Sequence, residues 1–185
     1  MIEIIPNWHP IFVHFFVGLF SASFAFYVFA YLSPFFKFFS VNTISEFEIV
    51  ARWCLWVAGL VAIPTVIAGL YAYNTVSHDA ISHAAMTNHR NWAIPTAIGI
   101  MLLALWSIGR YRKHKTVTII FITAILLMQG MMLSTAWRGA ELVFRYGLGV
   151  MSLPKSNGDH HHAEGMANVP EHAGTSETEN HDHEH

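Results

Sequence analysis

Charged side chains are scarce in this 185-residue sequence, at 12% of the total against about 25% in a typical soluble domain. Hydrophobic residues make up 54% of the chain, so too few charges remain to cover the surface of a water-soluble globule. This composition excludes an ordinary soluble enzyme and favours an integral membrane protein. The single cysteine, Cys54, excludes an internal disulfide and a cysteine-based metal cluster.

Motifs of several common chemistries are missing as well. The sequence has no glycine-rich phosphate-binding loop, no HExxH zinc signature and no surface typical of nucleic-acid binding. Its one basic cluster, residues 110–115, is short and lies between two apolar segments. We therefore expect the partners of this chain to be the lipid bilayer and other membrane components, with no nucleic acid among them.

Four uncharged apolar segments are long enough to cross a bilayer, whose hydrocarbon core of about 30 Å needs roughly 20 helical residues. Within lipid every backbone group must be hydrogen-bonded, and four separate spans cannot close a barrel, so the spans must be helices. We expect an all-α, integral membrane four-helix bundle within residues 1–150. The predicted spans are residues 11–31, 53–73, 92–109 and 116–137.

The basic residues predict the orientation of this bundle. Residues 110–115 carry four fixed positive charges between the third and fourth spans, and Lys37 and Arg52 fall on the same side. Cytoplasmic loops of membrane proteins are enriched in lysine and arginine. We therefore expect these residues to be cytoplasmic and both termini to lie outside, in the periplasm if the host is a Gram-negative bacterium.

Five of the six histidines that precede the C-terminal tail fall on the predicted outer side: His9, His14, His78, His83 and His89. Ionisable residues at membrane depth are energetically expensive and are functional candidates by default. His14 and His89 lie at or just below the predicted interface. The alternative is that such histidines bind backbone carbonyls or lie in a wet loop, and this interpretation is favoured for His78 and His83.

Small residues follow both interfacial histidines on the same helix face, as Gly18 does for His14 and Ala93 for His89. Such stripes permit close helix packing, and they would also leave room for a flat macrocycle between helices. A histidine on each of two helices is what bis-histidine haem ligation needs, because a neutral imidazole binds iron through one nitrogen. The predicted axial ligands of a haem b are His14 and His89, with His9 and His83 as reserve candidates.

Both ends of the four-span region resemble a known family. Residues 8–18 read WHPIFVHFFVG, which is similar to HPxxVHFPIG, and residues 138–150 read RGAELVFRYGLGV, which is similar to GGELVYRHGVGV. These are the opening and closing motifs of domain-of-unknown-function family 2231, and the resemblance covers roughly residues 8–150. It implies a four-helix protein of the bacterial inner membrane, distantly similar to the b-type cytochromes whose haems lie between helices.

The resemblance also implies which polar positions matter. His9, His14 and a histidine at the start of the third span are the characteristic polar residues of the family. His89 fits the third place best, and His83 is the alternative. This chain departs from the family at Tyr146, where the closing motif usually has a histidine, so that position cannot supply a ligand here.

The closing motif has its own physical interpretation. Arg138, Glu141 and Arg145 are three and four residues apart, so they can pair along a helical extension of the fourth span. Gly147 and Gly149 are expected to end that helix. The motif is then a structural lid, and Arg138 is also a candidate to bind a haem propionate, because guanidinium holds carboxylates through two parallel hydrogen bonds.

Residues 151–185 form a tail of different character. They hold seven of the 12 acidic residues and seven of the 13 histidines, and they show no apolar periodicity. We expect this tail to be disordered. Histidine-rich tracts bind Zn, Ni or Cu, although a merely solvated tail is the alternative. The candidate tail ligands are His160, His161, His162, His181, His183 and His185.

Three functions remain open from the sequence. The first is a b-type cytochrome-like subunit of a larger complex, with haem b between the first and third helices near the outer face. It would pass electrons between a quinone and a periplasmic or membrane redox partner, and it could be a redox subunit of an oxidoreductase. The second is a transition-metal-handling membrane protein that uses its tail. The third is a scaffold or assembly subunit without a cofactor.

Overall fold

The computed structural model describes residues 7–36, 39–76, 78–114 and 116–150. Every regular element in these residues is an α-helix, which confirms the predicted all-α fold class. The predictions for the histidine-rich tail, residues 151–185, lie outside the described residues. The helices in chain order are α1 His9–Phe36, α2 Val41–Thr75, α3 Ala80–Arg112 and α4 Ile119–Phe144.

All four helices are long and apolar enough to cross a membrane. The shortest, α4, has 26 residues and is about 39 Å long at 1.5 Å per residue. Helices α2 and α3 have 35 and 33 residues and are about 50 Å long, against about 30 Å of hydrocarbon. Both therefore continue beyond the predicted spans 53–73 and 92–109 into more polar sequence.

Short polar side chains cap the N-termini of the two longest helices. Ser40 Oγ accepts the backbone N–H of Thr43 at 3.2 Å, and Asp79 Oδ1 accepts that of Ser82 at 2.7 Å. Both are N-cap interactions, which satisfy backbone donors that the first helical turn leaves free. The hydrogen bonds from Ser82 hold the pKa of the exposed Asp79 carboxyl below its ordinary value, so this group is ionised at neutral pH.

A left-handed residue, Gly147, lies in the turn that follows the end of α4 at Phe144, as the closing motif predicts. Gly147 has a φ of 63°, a conformation that glycine adopts without strain. Its N–H bonds to the Val143 carbonyl at 3.0 Å, which is the 5→1 bond of an αL C-terminal motif, and the N–H of Leu148 bonds to the Leu142 carbonyl, also at 3.0 Å. Tyr146, just before this glycine, lines an open groove together with Ala80 and Ala84 at the start of α3.

The helices form a ring in chain order. Helix α1 packs most extensively on α2 and least on α4, and within the described ranges the diagonal pairs α1–α3 and α2–α4 make no close backbone contact. Connections of four to six residues make consecutive helices antiparallel. We call the end where α1 and α3 begin the histidine end, and the end where α2 and α4 begin the arginine end. The first carries His9, His14, His78, His83 and His89, and the second carries Arg52, Arg110 and Arg112.

The interior of the ring is apolar and closely packed. A Cβ added to Gly59 of α2 would come within 2.8 Å of the Ala104 Cβ on α3, so these helices approach as closely as a glycine allows. Large apolar side chains also cover the outside, as a surface facing lipid requires; Phe15, Leu60 and Leu127 are each more than 60% exposed. The largest fully buried side chains are Phe20, Phe121, Leu55, Ile100, Ile125 and Met132.

Candidate functional site

The histidines of the described residues divide unevenly between the two ends of the bundle. Five lie at the histidine end, in agreement with the sequence expectation that they share one side. The sixth, His114, follows α3 at the arginine end, where it adopts a φ of 49°. The candidate site is therefore sought at the histidine end.

His9 opens α1 and packs against α2. Its Nδ1–H donates to the Thr65 carbonyl at 3.0 Å. The ring lies over Gly69, where an added Cβ would be 2.8 Å from His9 Cε1. Asn7 Oδ1 accepts the His9 backbone N–H at 2.9 Å and so holds the start of the helix. Because a carbonyl only accepts hydrogen bonds, the contact with Thr65 places a proton on Nδ1 and leaves Nε2 of the neutral ring with its lone pair.

His89 has a similar setting between α3 and α4. Its ring lies over Gly139, where an added Cβ would be 3.1 Å from His89 Cε1. The Thr135 carbonyl lies near the ring, yet His89 Nδ1 is buried without a hydrogen-bond partner among the described residues. An unsatisfied buried polar atom costs about 1–3 kcal/mol. A small movement of the ring, or a bound ligand, that gives His89 Nδ1 a partner would therefore stabilise the protein.

The two settings share one sequence pattern, a threonine followed four residues later by a glycine. Thr65 and Gly69 form it on α2, and Thr135 and Gly139 form it on α4. In a helix the carbonyl of one residue lies beside the residue four positions later. When that later residue is glycine, no side chain covers the threonine carbonyl, and an imidazole from a neighbouring helix can reach it. The sequence alone did not identify these four residues as partners of the histidines. Their equal spacing near the ends of the second and fourth spans was the signal that could have found them.

His9 and His89 border the same interhelical region. They belong to diagonal helices, yet their imidazoles are close enough to interact electrostatically, and both are partly buried. Just below them, the hydroxyls of Thr96 and Thr135 are hydrogen-bonded at 3.0 Å in the buried interior. The structure therefore brings together one predicted ligand, His89, and one predicted reserve ligand, His9.

His14 is placed differently from His9. Five residues separate the two on α1, which corresponds to a rotation of about 140° around the helix axis. The His14 side chain is exposed, and its Nδ1–H donates to the Pro10 carbonyl of its own helix. Gly18, one turn further along this face, has open space where a Cβ would be. The structure thus does not bring His14 together with His89.

His78 and His83 form a separate cluster at the connection between α2 and α3. His78 Nε2 lies 2.8 Å from His83 Nδ1, and the two rings are nearly parallel, 12° apart. His78 Nδ1–H donates to the Val76 carbonyl at 2.6 Å, and His83 Nε2 lies 3.1 Å from the Tyr73 hydroxyl. The predicted reserve ligand His83 is therefore engaged with these neighbours.

Arg138 lies beside this site, and it forms no ion pair with another residue that the structure describes. Its guanidinium is 4.2 Å from the centroid of the Trp92 ring, and Nη1–H donates to the Ser134 carbonyl at 2.9 Å. It is within electrostatic range of His89 and lines an open groove of about 610 Å³. Of the pairings predicted for the closing motif, the structure contains the one between Glu141 and Arg145, at 2.6 Å.

The part of the chain that the structure describes holds no group of three or more His, Cys, Asp or Glu side chains arranged to bind a metal ion. The predicted metal ligands of the tail, from His160 to His185, lie outside that part. Metal capture by the tail therefore stays a prediction.

The comparisons with known proteins identify the family. Residues 6–152 match the family model described as "Predicted membrane protein (DUF2231)", so the chain belongs to this family, as the resemblance of its end motifs indicates. No curated protein and no solved structure matches the chain significantly.

Proposed function

We propose that this member of the DUF2231 family binds haem b at its histidine end, between α1 and α3, with His9 and His89 as the axial ligands. One observation carries the proposal: each imidazole lies over a glycine of the neighbouring helix, beside the carbonyl of a threonine one turn earlier. This setting orients each ring through backbone groups. It is the kind of environment in which histidine serves as a ligand.

The donor chemistry of the site fits a haem. A ligating histidine holds its second nitrogen against a carbonyl or carboxylate, which selects the tautomer and strengthens the ligand. Thr65 supplies that carbonyl to His9, and Thr135 has its carbonyl near His89, whose Nδ1 otherwise has no partner within the described ranges. A bound haem would supply one-electron transfer, and the chain would set its potential through ligand identity and burial.

The structure also bears on three other predicted residues. The exposure of His14 favours His9 as the ligand contributed by α1. Arg138 is proposed to bind a haem propionate, because its guanidinium lies over Trp92 at the same end and lacks a carboxylate partner among the described residues. His83 is not assigned to the haem, since its two ring nitrogens already contact Tyr73 and His78.

A visible absorption spectrum tests the proposal. Protein purified after expression with haem available, and reduced with dithionite, should show the sharp bands of six-coordinate low-spin haem. His9→Ala and His89→Ala should each lose the haem or convert it to high spin, because each removes a coordinate bond. His14→Ala and His114→Ala are matched controls and should keep the wild-type spectrum.

Two results would overturn this assignment. A colourless wild-type protein would exclude haem binding and leave the metal-handling function in first place. A spectrum that responds to His14→Ala and not to His9→Ala would restore the ligand pair predicted from the sequence.

The proposed physiological role is electron transfer between a membrane quinone and a redox partner on the outer side, within a larger complex of the bacterial inner membrane. Support comes from the charge distribution, since the cluster of fixed positive charges lies at the arginine end and the proposed haem at the opposite end. Adding a quinol to the oxidised protein in lipid vesicles should produce the reduced bands. A haem that dithionite reduces and quinols do not would contradict the quinone role.

A further inference from the structure

We propose that His78 and His83 form a separate binding site for a Zn²⁺ or Cu²⁺ ion at the histidine end, between α2 and α3. The site uses neither His9 nor His89, and it rests on the geometry of the interhelical connection alone. It therefore stands whether or not the protein binds haem.

The first ligand is prepared by a backbone carbonyl. Val76 offers only an acceptor, so the 2.6 Å contact places a proton on His78 Nδ1. The neutral His78 ring then presents a lone pair on Nε2, which points toward His83 Nδ1 at 2.8 Å. Metal-ligating histidines characteristically hold their second nitrogen in this way.

The second ligand is prepared by a pair of hydroxyls. His83 Nε2 is 3.1 Å from the Tyr73 hydroxyl, which in turn is 2.8 Å from the Thr87 hydroxyl. Without a metal, Tyr73 donates to Nε2 and His83 Nδ1–H donates to His78. Hydroxyls can reverse these roles. When Tyr73 donates to Thr87 instead, it accepts from His83 Nε2–H, and the Nδ1 lone pair becomes free.

In this second arrangement the two lone pairs face each other, and each imidazole has an acceptor on its other nitrogen. The rings meet end to end, because centroids 5.1 Å apart place both nitrogens close to the line that joins the ring centres. The change is a tautomer switch of His83, so the neutral pair binds an ion without losing a proton. Nitrogens bound at about 2.0 Å are roughly 2.8 Å apart at a right angle and 3.3 Å apart at the tetrahedral angle. The separation of 2.8 Å between His78 Nε2 and His83 Nδ1 lies at the lower end of this range. Because the lone pairs point along the line between the two nitrogens, the exposed His83 ring must swing out of that line before both nitrogens can bind one ion.

The surroundings suit a cation that enters from the aqueous side. His83 is exposed and His78 partly so. Asp79, the next residue after His78, adds a negative charge, and both line an open groove of about 520 Å³ in which water can complete the coordination. Imidazole nitrogens with one nearby carboxylate select Zn²⁺ or Cu²⁺ over Mg²⁺ or Ca²⁺, which prefer oxygen ligands.

The experiment must separate this site from the histidine-rich tail. It uses the full-length chain in a background where every tail histidine is changed to alanine, at positions 160, 161, 162, 172, 181, 183 and 185. Titration with Zn²⁺ in detergent, followed by calorimetry, should show one ion bound per chain. With Cu²⁺, the electron paramagnetic resonance spectrum should show coupling to two equivalent imidazole nitrogens.

Variants assign the ligands. His78→Ala and His83→Ala should each weaken binding more than tenfold, and Tyr73→Phe should weaken it by about 10–100-fold, because it removes only the acceptor that supports His83. His114→Ala is the matched control and should bind as the background does. Helical circular dichroism shows that each variant is folded.

Stoichiometric binding that His78→Ala and His83→Ala abolish would establish the site. No binding in the background chain, or binding that neither substitution changes, would overturn the proposal. The haem spectrum of the background chain, recorded in parallel, should not respond to either substitution, which keeps this test independent of the proposed haem.

Discussion

The two ends of the bundle share one arrangement of polar side chains and differ in a second. Guanidinium groups lie over aromatic rings at both: Arg52 is 4.2 Å from the Tyr111 centroid at the arginine end, and Arg138 is 4.2 Å from that of Trp92 at the histidine end. At the histidine end, two imidazoles lie over glycine backbone near threonine carbonyls. The first arrangement orients permanent cations, and the second orients groups that can act as ligands.

This difference decides what each end can do chemically. A guanidinium has five donors and no acceptor and stays protonated, so it anchors a helix at the interface and cannot bind a metal. Arg52 Nε and Arg110 Nη2 are buried without partners within the described ranges, and lipid phosphates at that interface are suitable acceptors. An imidazole that donates from one nitrogen keeps the other as a ligand, which is why the histidine end is the candidate site.

The largest expected effect concerns the side of the membrane on which each end lies. A reporter enzyme that is active only outside the cytoplasm should give a signal when fused after Val150 and none when fused at Lys113. The physical reason is the retention of clustered lysine and arginine in the cytoplasm. The reverse pattern in cells would move the histidine end to the cytoplasmic side and exclude an outer redox partner.

The second prediction tests whether the glycines beneath the imidazoles are needed for haem binding. Gly69→Ala should weaken haem binding by about 10–100-fold, because the new Cβ would lie 2.8 Å from His9 Cε1 and would push the ring from its carbonyl. Gly139→Ala should have a smaller effect, since its Cβ would lie 3.1 Å from His89 Cε1. Titration of the purified apoprotein with haem, followed by absorption, measures both.

Gly18 and Gly130 provide matched controls on α1 and α4, because among the described residues nothing beyond the local helix backbone lies within 4 Å of a Cβ added at either position. Their alanine variants should bind haem as the wild type does. Equal losses in all four glycine variants would mean that helix packing in general, rather than the position of the imidazoles, sets the affinity.

The third prediction concerns the interior toward the arginine end. Ser107 Oγ lies 3.2 Å from Trp56 Nε1, which donates to it, and 3.2 Å from the Tyr27 hydroxyl. Ser107→Ala should lower the free energy of unfolding by about 1–3 kcal/mol, because it leaves the indole N–H unpaired. Tyr27→Phe, which removes one hydrogen bond and leaves the indole paired, should cost about 0.5–1.5 kcal/mol.

Unfolding titrations in mixed micelles measure these two losses. The haem spectrum should be unchanged in both variants, since the network is far along α1 and α3 from the histidine end. A spectral change in Ser107→Ala would show that the two ends are coupled and would weaken the distinction between them.

The smallest effect is expected from the ion pair on the closing motif. Glu141→Gln should change the free energy of unfolding by less than about 0.5 kcal/mol, because Arg145 is 71% exposed and the pair is screened by solvent. The same unfolding titration is the measurement. A loss comparable with that of Ser107→Ala would indicate that the lid contributes to the fold of the histidine end.

Hydropathy located the four helices because the bilayer requires long apolar segments with internally paired backbones. It did not locate the helix ends. Helix α2 begins 12 residues before the predicted span 53–73, at a cap supplied by Ser40. Polar residues such as Glu46 and Glu48 are unsuited to hydrocarbon, yet they are compatible with a helix that continues through the interface.

The candidate site could be placed at one end of the bundle from the sequence, because histidines that precede the first span and follow the second reach the same side of a membrane. The residues that contact the histidine rings could not be assigned from the sequence. The contact of His9 with Thr65 and Gly69 joins residues more than 50 positions apart, and it depends on how α1 and α2 are rotated against each other.

The sequence by itself determined the number of helices, their order and the placement of five histidines at one end of the bundle. Only the tertiary structure decided which face of α1 is interior. His9 shares its face with the buried Phe16, Phe20 and Tyr27, whereas His14 shares its face with open Gly18. In water a polar stripe would mark the outer face of a helix, but in lipid both faces are apolar, so hydrophobic periodicity cannot distinguish the two histidines.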